Sequence, residues 1–249
     1  MTETTKKKVW INGLSGRMGE ALQEIFKERS DIRFLGGASQ QDFSQKVSLI
    51  SQADLVIDFS SPEGTKALAE WVKTQALSHT SFLICTTGLS DDVKALWSDI
   101  ARKSSLSIML APNTSLGVLL TLKASLGIAS VAHKEGFDIL LDETHHREKK
   151  DSPSGTALFL ASALSKETGL NLAFGGDKFD PQTRIMVQAS RGGGVFGEHT
   201  IRFISNEEEV SITHRAFSRA LFAKGAVYLG LALSLRGPGF YNLESFLSR

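Results

Sequence analysis

Apolar positions in the first hundred residues alternate between two spacings. Residues 9–12 form a short apolar run; glycines follow, and then Met18, Leu22, Ile25 and Phe26 recur at helical intervals. Residues 32–35 read as a second strand, and residues 55–59 as a continuous, buried-type third. Ser61-Pro62-Glu63 carries a helix-start signal with Pro near the first turn, ahead of Leu68, Trp71 and Val72. Residues 82–85 are another apolar run. Beyond Thr86-Thr87-Gly88, the residues Val93, Leu96, Trp97 and Ile100 share one helical face, and residues 107–110 close the series. Strands alternating with helices of this length predict βαβ units and a parallel sheet.

After about residue 113 the pattern changes. A long apolar helix is predicted over about 116–132, then a strand at 138–142, a polar loop, and a helix over about 154–167. Residues 184–189, 198–204 and 210–214 read as strands joined by turns, which predicts an α+β domain with a mixed or antiparallel sheet. A last helix, about 218–233, precedes a Gly-Pro-Gly turn and a short tail. The expected organisation is a Rossmann-type doubly wound domain over 1–114, a second α+β domain over 115–217, and a segment 218–249 returning to the first.

Composition narrows the function classes. The 249 residues carry 28 Lys+Arg against 27 Asp+Glu, a net charge of +1, which gives no footprint for nucleic acid or a membrane surface. One cysteine, Cys85, excludes a disulfide framework and cysteine-rich metal sites, and fits a reducing, cytoplasmic setting. The first residues lack the apolar core of a signal peptide. No apolar run is expected to reach membrane-spanning length: residues 116–132 come closest, with Lys123 in the middle, and a core helix is expected there.

Two stretches carry chemistry. The first, residues 9–19, is strand, glycine turn, helix. Gly13 permits a tight turn, Gly16 close approach of a pyrophosphate to the backbone, and Gly19 close helix–strand packing. The pattern is G-x-x-G-x-x-G, with Ser15 where the usual dinucleotide fingerprint has its second glycine. An ordinary glycine turn is the competing reading. The acid expected at the end of the second strand for ribose hydroxyls is missing: Gly36-Gly37-Ala38-Ser39-Gln40-Gln41 precedes the first acid, Asp42. NADPH is therefore expected to serve at least as well as NADH, with Ser39 and Gln40 tolerating a 2′-phosphate.

The second stretch is Glu143–Ala157, ETHHREKKDSPSGTA, where His145, His146, Arg147, Lys149 and Lys150 fall within six residues and Ser154-Gly155-Thr156 opens a helix. Cations, titratable imidazoles and helix-end N–H groups together suit a dianion. A solvated charged loop and a two-histidine metal site are the alternatives. Against the metal, His145 and His146 are adjacent and no third ligand is apparent. His79 and His133 read as surface or capping residues, His199 and His214 as structural strand histidines, Asp58 as a ligand contact or helix cap, and Cys85 as an inert core thiol. No G-x-S-x-G elbow supports acyl hydrolysis.

Taken together, GLSGRMG at 13–19, DFSSPEGT at 58–65, CTTG at 85–88, APNTSLGV at 111–118, ETHHREKKDSPSGTA at 143–157, RGGGVFGEHT at 191–200 and THRAFSRALFAKGA at 213–226 resemble the 4-hydroxy-tetrahydrodipicolinate (dihydrodipicolinate) reductase family. The H-H-x-x-K-x-D-x-P-S-G-T block is the most specific part. The resemblance implies NAD(P)H-dependent reduction of a cyclic dicarboxylate imine in lysine and diaminopimelate biosynthesis. By resemblance, His145 is the proton donor or acceptor and Lys149 the second proton donor, and His146, Gly155 and Thr156 contact substrate carboxylate. NADPH or NADH contacts are implied at Gly13, Leu14, Ser15, Gly16, Arg17, Met18, Cys85, Thr86, Thr87, Ala111, Pro112, Asn113 and Thr114. Ser39 stands where NAD-binding members carry an acid, and Cys85 where the family often has Gly. The resemblance also implies a homotetramer built through the second-domain sheet; with the cofactor in the first domain and the substrate loop in the second, the domains are expected to close on each other about hinges near 112–116 and 215–220. Another two-domain nicotinamide reductase and a catalytically silent nucleotide sensor are the competing readings.

Overall fold

The computed structural model describes residues 6–243, which divide into two compact units: residues up to Ser115 together with those from Ala220 onward, and Leu116–Arg219 between them. In the first unit the chain runs β1 (Lys7–Asn12), α1 (Arg17–Lys27), β2 (Ile32–Ala38), α2 (Phe43–Lys46), a 3-10 turn (Val47–Gln52), β3 (Leu55–Asp58), α3 (Pro62–Lys73), β4 (Ser81–Ile84), α4 (Asp91–Lys103) and β5 (Ser107–Leu110). The second unit holds α5 (Leu116–Lys134), β6 (Asp138–His145), α6 (Gly155–Thr168), β7 (Asn171–Phe174), β8 (Arg184–Arg191), β9 (Glu198–Ile204) and β10 (Glu209–Arg215). The chain then returns to the first unit with α7 (Ala220–Leu233) and β11 (Gly239–Asn242).

The first-unit sheet is parallel throughout, in the order β11-β5-β4-β3-β1-β2. Both faces are covered, which is why β3 and β4 are buried at every residue. Trp10, Val56, Phe82 and Ile108 pack with Leu68 and Val72 of α3 and Val93 and Trp97 of α4 in one core. On the other face α7 packs along α1, β3 and β4. The expected Rossmann-type sheet is present. The expected tail, however, holds strand β11, paired with β5 through Gly239–Asn242. Gly239–Asn242 lacks the continuous apolar run that marked the other short strands, and its pairing with β5 at the sheet edge is what identifies it.

The second-unit sheet is mixed, in the order β10-β9-β6-β8-β7: β9 is antiparallel to β6 and β10, while β8 is parallel to β6 and β7. Strand β7 is a further addition to the sequence reading. Ile139, Leu141, Ile185, Val187, Ile201 and Phe203 form a core with residues of α5 and α6 on one face. Helix α5 corrects an expectation: its 19 residues are long and apolar enough, by length and composition alone, to cross a membrane. Its burial explains the composition, because Val118, Leu122 and Ala129 belong to the core beneath it.

Candidate active site

Chain order reverses at β1, whose partners β2 and β3 lie on opposite sides. Open α/β sheets bind ligands at such a switch point, beyond the carboxyl ends of the strands. There the loop after β1 meets the loop after β3. Gly13 has φ +88°, and a Cβ on it would fall 2.5 Å from the Phe59 carbonyl oxygen. A Cβ at Gly19 would fall 2.3 Å from the Leu14 carbonyl oxygen, so this glycine lets α1 start against the turn itself rather than against a strand. Gly16, the residue before α1, is unconstrained by comparison, with only Gly13 O at 3.4 Å. Its exposed backbone leaves the helix N-terminus open to phosphate. A cavity of about 500 Å³ lies here, lined among others by Gly13, Ser15, Gly16, Ser39 and Gln40.

Buried Asp58 ties these loops together. Its carboxylate accepts from Asn12 Nδ2 (3.1 Å), Ser60 N (3.0 Å), Ser60 Oγ (2.6 Å) and Thr65 Oγ1 (2.6 Å). Burial still pushes its carboxyl upward against the pull of those bonds. Burial, with the Asp58 charge, likewise holds the Cys85 thiol well above its ordinary value, as suits an inert core sulfur. Cys85, Thr86 and Thr87 follow β4, and Ala111, Pro112, Asn113 and Thr114 follow β5, on the same sheet edge. These residues, with Leu14, Arg17 and Met18, lie outside the cavity wall just described.

The first acid after the second strand lies close to Ser39 in the folded chain. Asp42 turns back so that its Oδ1 accepts from Ser39 N (2.7 Å) and Ser39 Oγ (2.9 Å), while Lys46 Nζ lies 2.5 Å from Oδ2. Lys46 first, then Ser39, lower the Asp42 carboxyl to about 2. A carboxylate therefore stands at the end of β2, three residues later than a spacing rule looks for it.

In the second unit, strand periodicity builds the cluster. β6 buries Ile139, Leu141, Glu143 and His145 on one face, and β9 buries His199, Ile201 and Phe203. Register sets Leu141 beside Ile201 and Glu143 beside His199, His199 beside His214, and His145 beside Arg191. The helix-covered face thus passes from apolar rows into a polar row at the end of β6.

Glu143 is the centre of that row. Its Oε1 accepts from Ser154 N at 2.8 Å and lies 3.3 Å from both Nη1 and Nη2 of Arg191, and its Oε2 accepts from Ser154 Oγ. His145 Nδ1 lies 3.2 Å from Oε2 and His199 Nε2 3.5 Å from the same oxygen. Burial opposes the charge, but the contacts from His145, His199 and Ser154 outweigh it and hold the carboxyl far below its usual range. Ser154 Oγ also caps α6 by accepting from Ala157 N at 3.1 Å. The His145 and His199 rings meet edge to face, with centroids 5.2 Å apart.

The donor atoms of Glu143, His145 and His199 all lie within 4.8 Å of one another. His145 thus has two further potential ligands beside it, Glu143 and His199, which the sequence did not reveal, while His146 is not part of this group. The chemistry of the donor set still disfavours a cation: the Arg191 guanidinium and both Ser154 donors already occupy the carboxylate oxygens.

Adjacent in sequence, His145 and His146 face different surroundings. His145 is buried in the cluster, whereas half-buried His146 lines a cavity of about 240 Å³ with Gly193, Phe196 and Arg219. Lys149 Nζ pairs with Asp151 Oδ1 at 2.8 Å. Arg191 holds this loop by donating from Nε to Lys149 O (3.4 Å) and from Nη2 to Asp151 O (2.5 Å). Gly155 and Thr156 open α6 at the loop's end, with Gly155 exposed. Glu143, Arg191 and His199 were not singled out from the sequence for this cluster. Alternation in DILLDETH and EHTIRF puts Glu143 and His199 on the core face, and that was the available signal.

A parallel sheet with a glycine turn at its switch point, followed by a second sheet that carries a cationic loop at a helix N-terminus, defines a two-domain dinucleotide-dependent oxidoreductase. Two family models cover the chain: "Dihydrodipicolinate reductase, N-terminus" over residues 7–114 and "Dihydrodipicolinate reductase, C-terminus" over 117–247. The 4-hydroxy-tetrahydrodipicolinate reductase of Zymomonas mobilis is 36% identical over 260 residues, 99% of each chain. That of Myxococcus xanthus is 34% identical over 266 residues, 95% of this chain and 96% of its own. In fold, the chain is similar to dipicolinate-bound dihydrodipicolinate reductase from Paenisporosarcina sp. TG-14: TM-score 0.76, 19% identity, covering 98% of this chain and 100% of that one. The chain belongs to the dihydrodipicolinate reductase family, whose members are NAD(P)H-dependent oxidoreductases.

Proposed function

We propose that this chain reduces 4-hydroxy-tetrahydrodipicolinate, or its dehydrated dihydrodipicolinate form, to tetrahydrodipicolinate with NADPH or NADH, in lysine synthesis through diaminopimelate. The observation that carries the reading is the loop from His145 to Thr156: imidazole, ammonium and helix-end amides on one short segment pinned by Arg191.

A nicotinamide, when bound, would supply the hydride that the substrate ring receives. Gly13, Ser15 and Gly16 would hold the dinucleotide phosphates against the α1 N-terminus, and Ser39, which lines the same cavity and is held by Asp42, would lie toward its adenosine ribose. Gly155 and Thr156 receive one substrate carboxylate, where the α6 N-terminus favours negative charge. His146 and Lys149 add charge-assisted hydrogen bonds to the dianion. His145 gives a proton to the electron-rich ring centre left after hydride arrival, and Lys149 serves as a second donor. Cations around the ring also stabilise the electron density that builds there.

His145→Gln and Lys149→Ala test the reading: each is expected to lower turnover by about 100-fold while NADH binding, followed by nicotinamide fluorescence, stays within a factor of two or so. Wild-type turnover in either variant refutes its role. The reading extends to a cytoplasmic homotetramer assembled through the second-unit sheet. Support comes from β10, an edge strand whose residues are mostly exposed. Light scattering that gives the monomer mass would remove this part.

A further inference from the structure

We propose that Glu143 is a positioning residue for His145: its buried carboxylate faces Nδ1, fixes the imidazole in the Nδ1–H form, and leaves Nε2 as the atom that carries the exchangeable proton. The inference rests on the proton-donor reading of His145 and adds a residue that acts through it.

Three observations carry it. Glu143 and His145 sit two residues apart on β6, on the same buried face, with Nδ1 3.2 Å from Oε2. The approach is too bent for a well-formed hydrogen bond, so the 3.2 Å contact is an electrostatic one, and Nδ1 has no hydrogen-bond partner elsewhere among the described residues. Nδ1 is buried, so this carboxylate is the only anion within its reach among the described residues. On the opposite edge of the ring, Nε2 lies against Gly197, where an added Cβ would be 2.9 Å away. The absence of a side chain there lets the Nε2 edge lie on bare backbone. A neutral imidazole has one donor and one acceptor nitrogen, and the hydrogen bond made by one decides the state of the other.

The carboxylate itself is over-determined. Ser154 through two donors and Arg191 through two nitrogens hold it ionised and in one orientation, so it is a fixed reference for the ring. The other groups facing His145 are His199, whose ring lies edge-on, Arg191 on β8, and His214 stacked 6.1 Å beyond His199. A proton on His199 would compete for the same Oε2, and the Arg191 charge opposes a second positive charge. Glu143 is the anion that stands between His145 and the Arg191 charge, in contact with both.

The test is a histidine-selective NMR titration of the wild type and Glu143→Gln, with kinetics on both and on His145→Gln. In Glu143→Gln the His145 titration is expected to fall by about one pH unit. The acid limb of kcat should move with it, and kcat at pH 8 should drop about tenfold with KM for the dicarboxylate and NADH binding little changed. A merely structural carboxylate would change the melting temperature and leave the His145 titration in place; that result overturns the proposal. If Glu143→Gln does not fold, the wild-type imidazole nitrogen shifts decide: neutral His145 protonated at Nδ1 supports the proposal, and protonated at Nε2 overturns it. Full turnover in His145→Gln would instead refute the proton-donor reading, and the titration would still decide whether Glu143 governs the ring.

Discussion

Alanine at Gly13 and alanine at Gly16 should fail in different ways, and the contrast tests how the glycine turn is built. At Gly13 the backbone sits at φ +88°, where a side chain costs about 1–2 kcal/mol. The new Cβ also meets Phe59 O at 2.5 Å, Phe59 C at 2.7 Å and Ser60 Cα at 2.9 Å. All three are backbone atoms, so no rotamer change relieves them, and the loops after β1 and β3 must part. Overpacking of this kind adds about 1–3 kcal/mol. At about 2–4 °C per kcal/mol for a unit of this size, Gly13→Ala should lower the melting temperature by roughly 4–20 °C. At Gly16 the Cβ meets one atom at 3.4 Å and no positive φ is required, so stability should hold. Its methyl group would stand where phosphate approaches, weakening NADH about tenfold or more. Thermal unfolding followed by circular dichroism, together with fluorescence titration of NADH, reads both effects. A Gly13→Ala protein with unchanged melting refutes the steric argument, and so does a Gly16→Ala protein that melts early yet binds normally.

Asp42→Asn should raise the preference for NADPH over NADH several-fold, about a factor of ten at most, because it removes a carboxylate beside Ser39 and frees Lys46; an unchanged ratio of dissociation constants would remove Asp42 from the nucleotide site. Arg191→Ala should loosen residues 147–152, seen as faster amide exchange, and raise KM for the dicarboxylate more than it lowers kcat, since Arg191 ties Lys149 O and Asp151 O to Glu143. Unchanged exchange in that loop would contradict this. Acid should act in two stages. The His214 value is lowered by burial and by His199, so the folded state resists its protonation and stability falls as pH drops below about 6.5, the ordinary histidine value. Glu143 is lowered too, so its contribution is present above the ordinary glutamate value of 4.5 and is lost as pH falls further. Denaturant titrations across pH 7 to 3 check both stages. His214→Asn should flatten the upper stage, and an unaltered curve would exclude it.

The chain's own periodicities determined much of this protein. Apolar runs alternating with helical faces specify the parallel sheet because a strand covered on both sides must be apolar throughout. The glycine turn and the HHREKKDSPSGT segment were legible because both depend on local geometry: tight turns and helix starts need particular residues at fixed intervals. Strand β11, by contrast, has no continuous apolar run of its own, and its pairing with β5 at the edge of the sheet defines it. Asp42 reached the end of β2 through a turn that spacing alone does not encode. Glu143, Arg191 and His199 come from three strands as far as 56 residues apart in number, and cross-strand register brings them to one carboxylate. Register is a property of paired strands and not of any one of them. The sequence could therefore offer a buried acid and a buried histidine, each on its own strand, while their meeting belongs to the sheet.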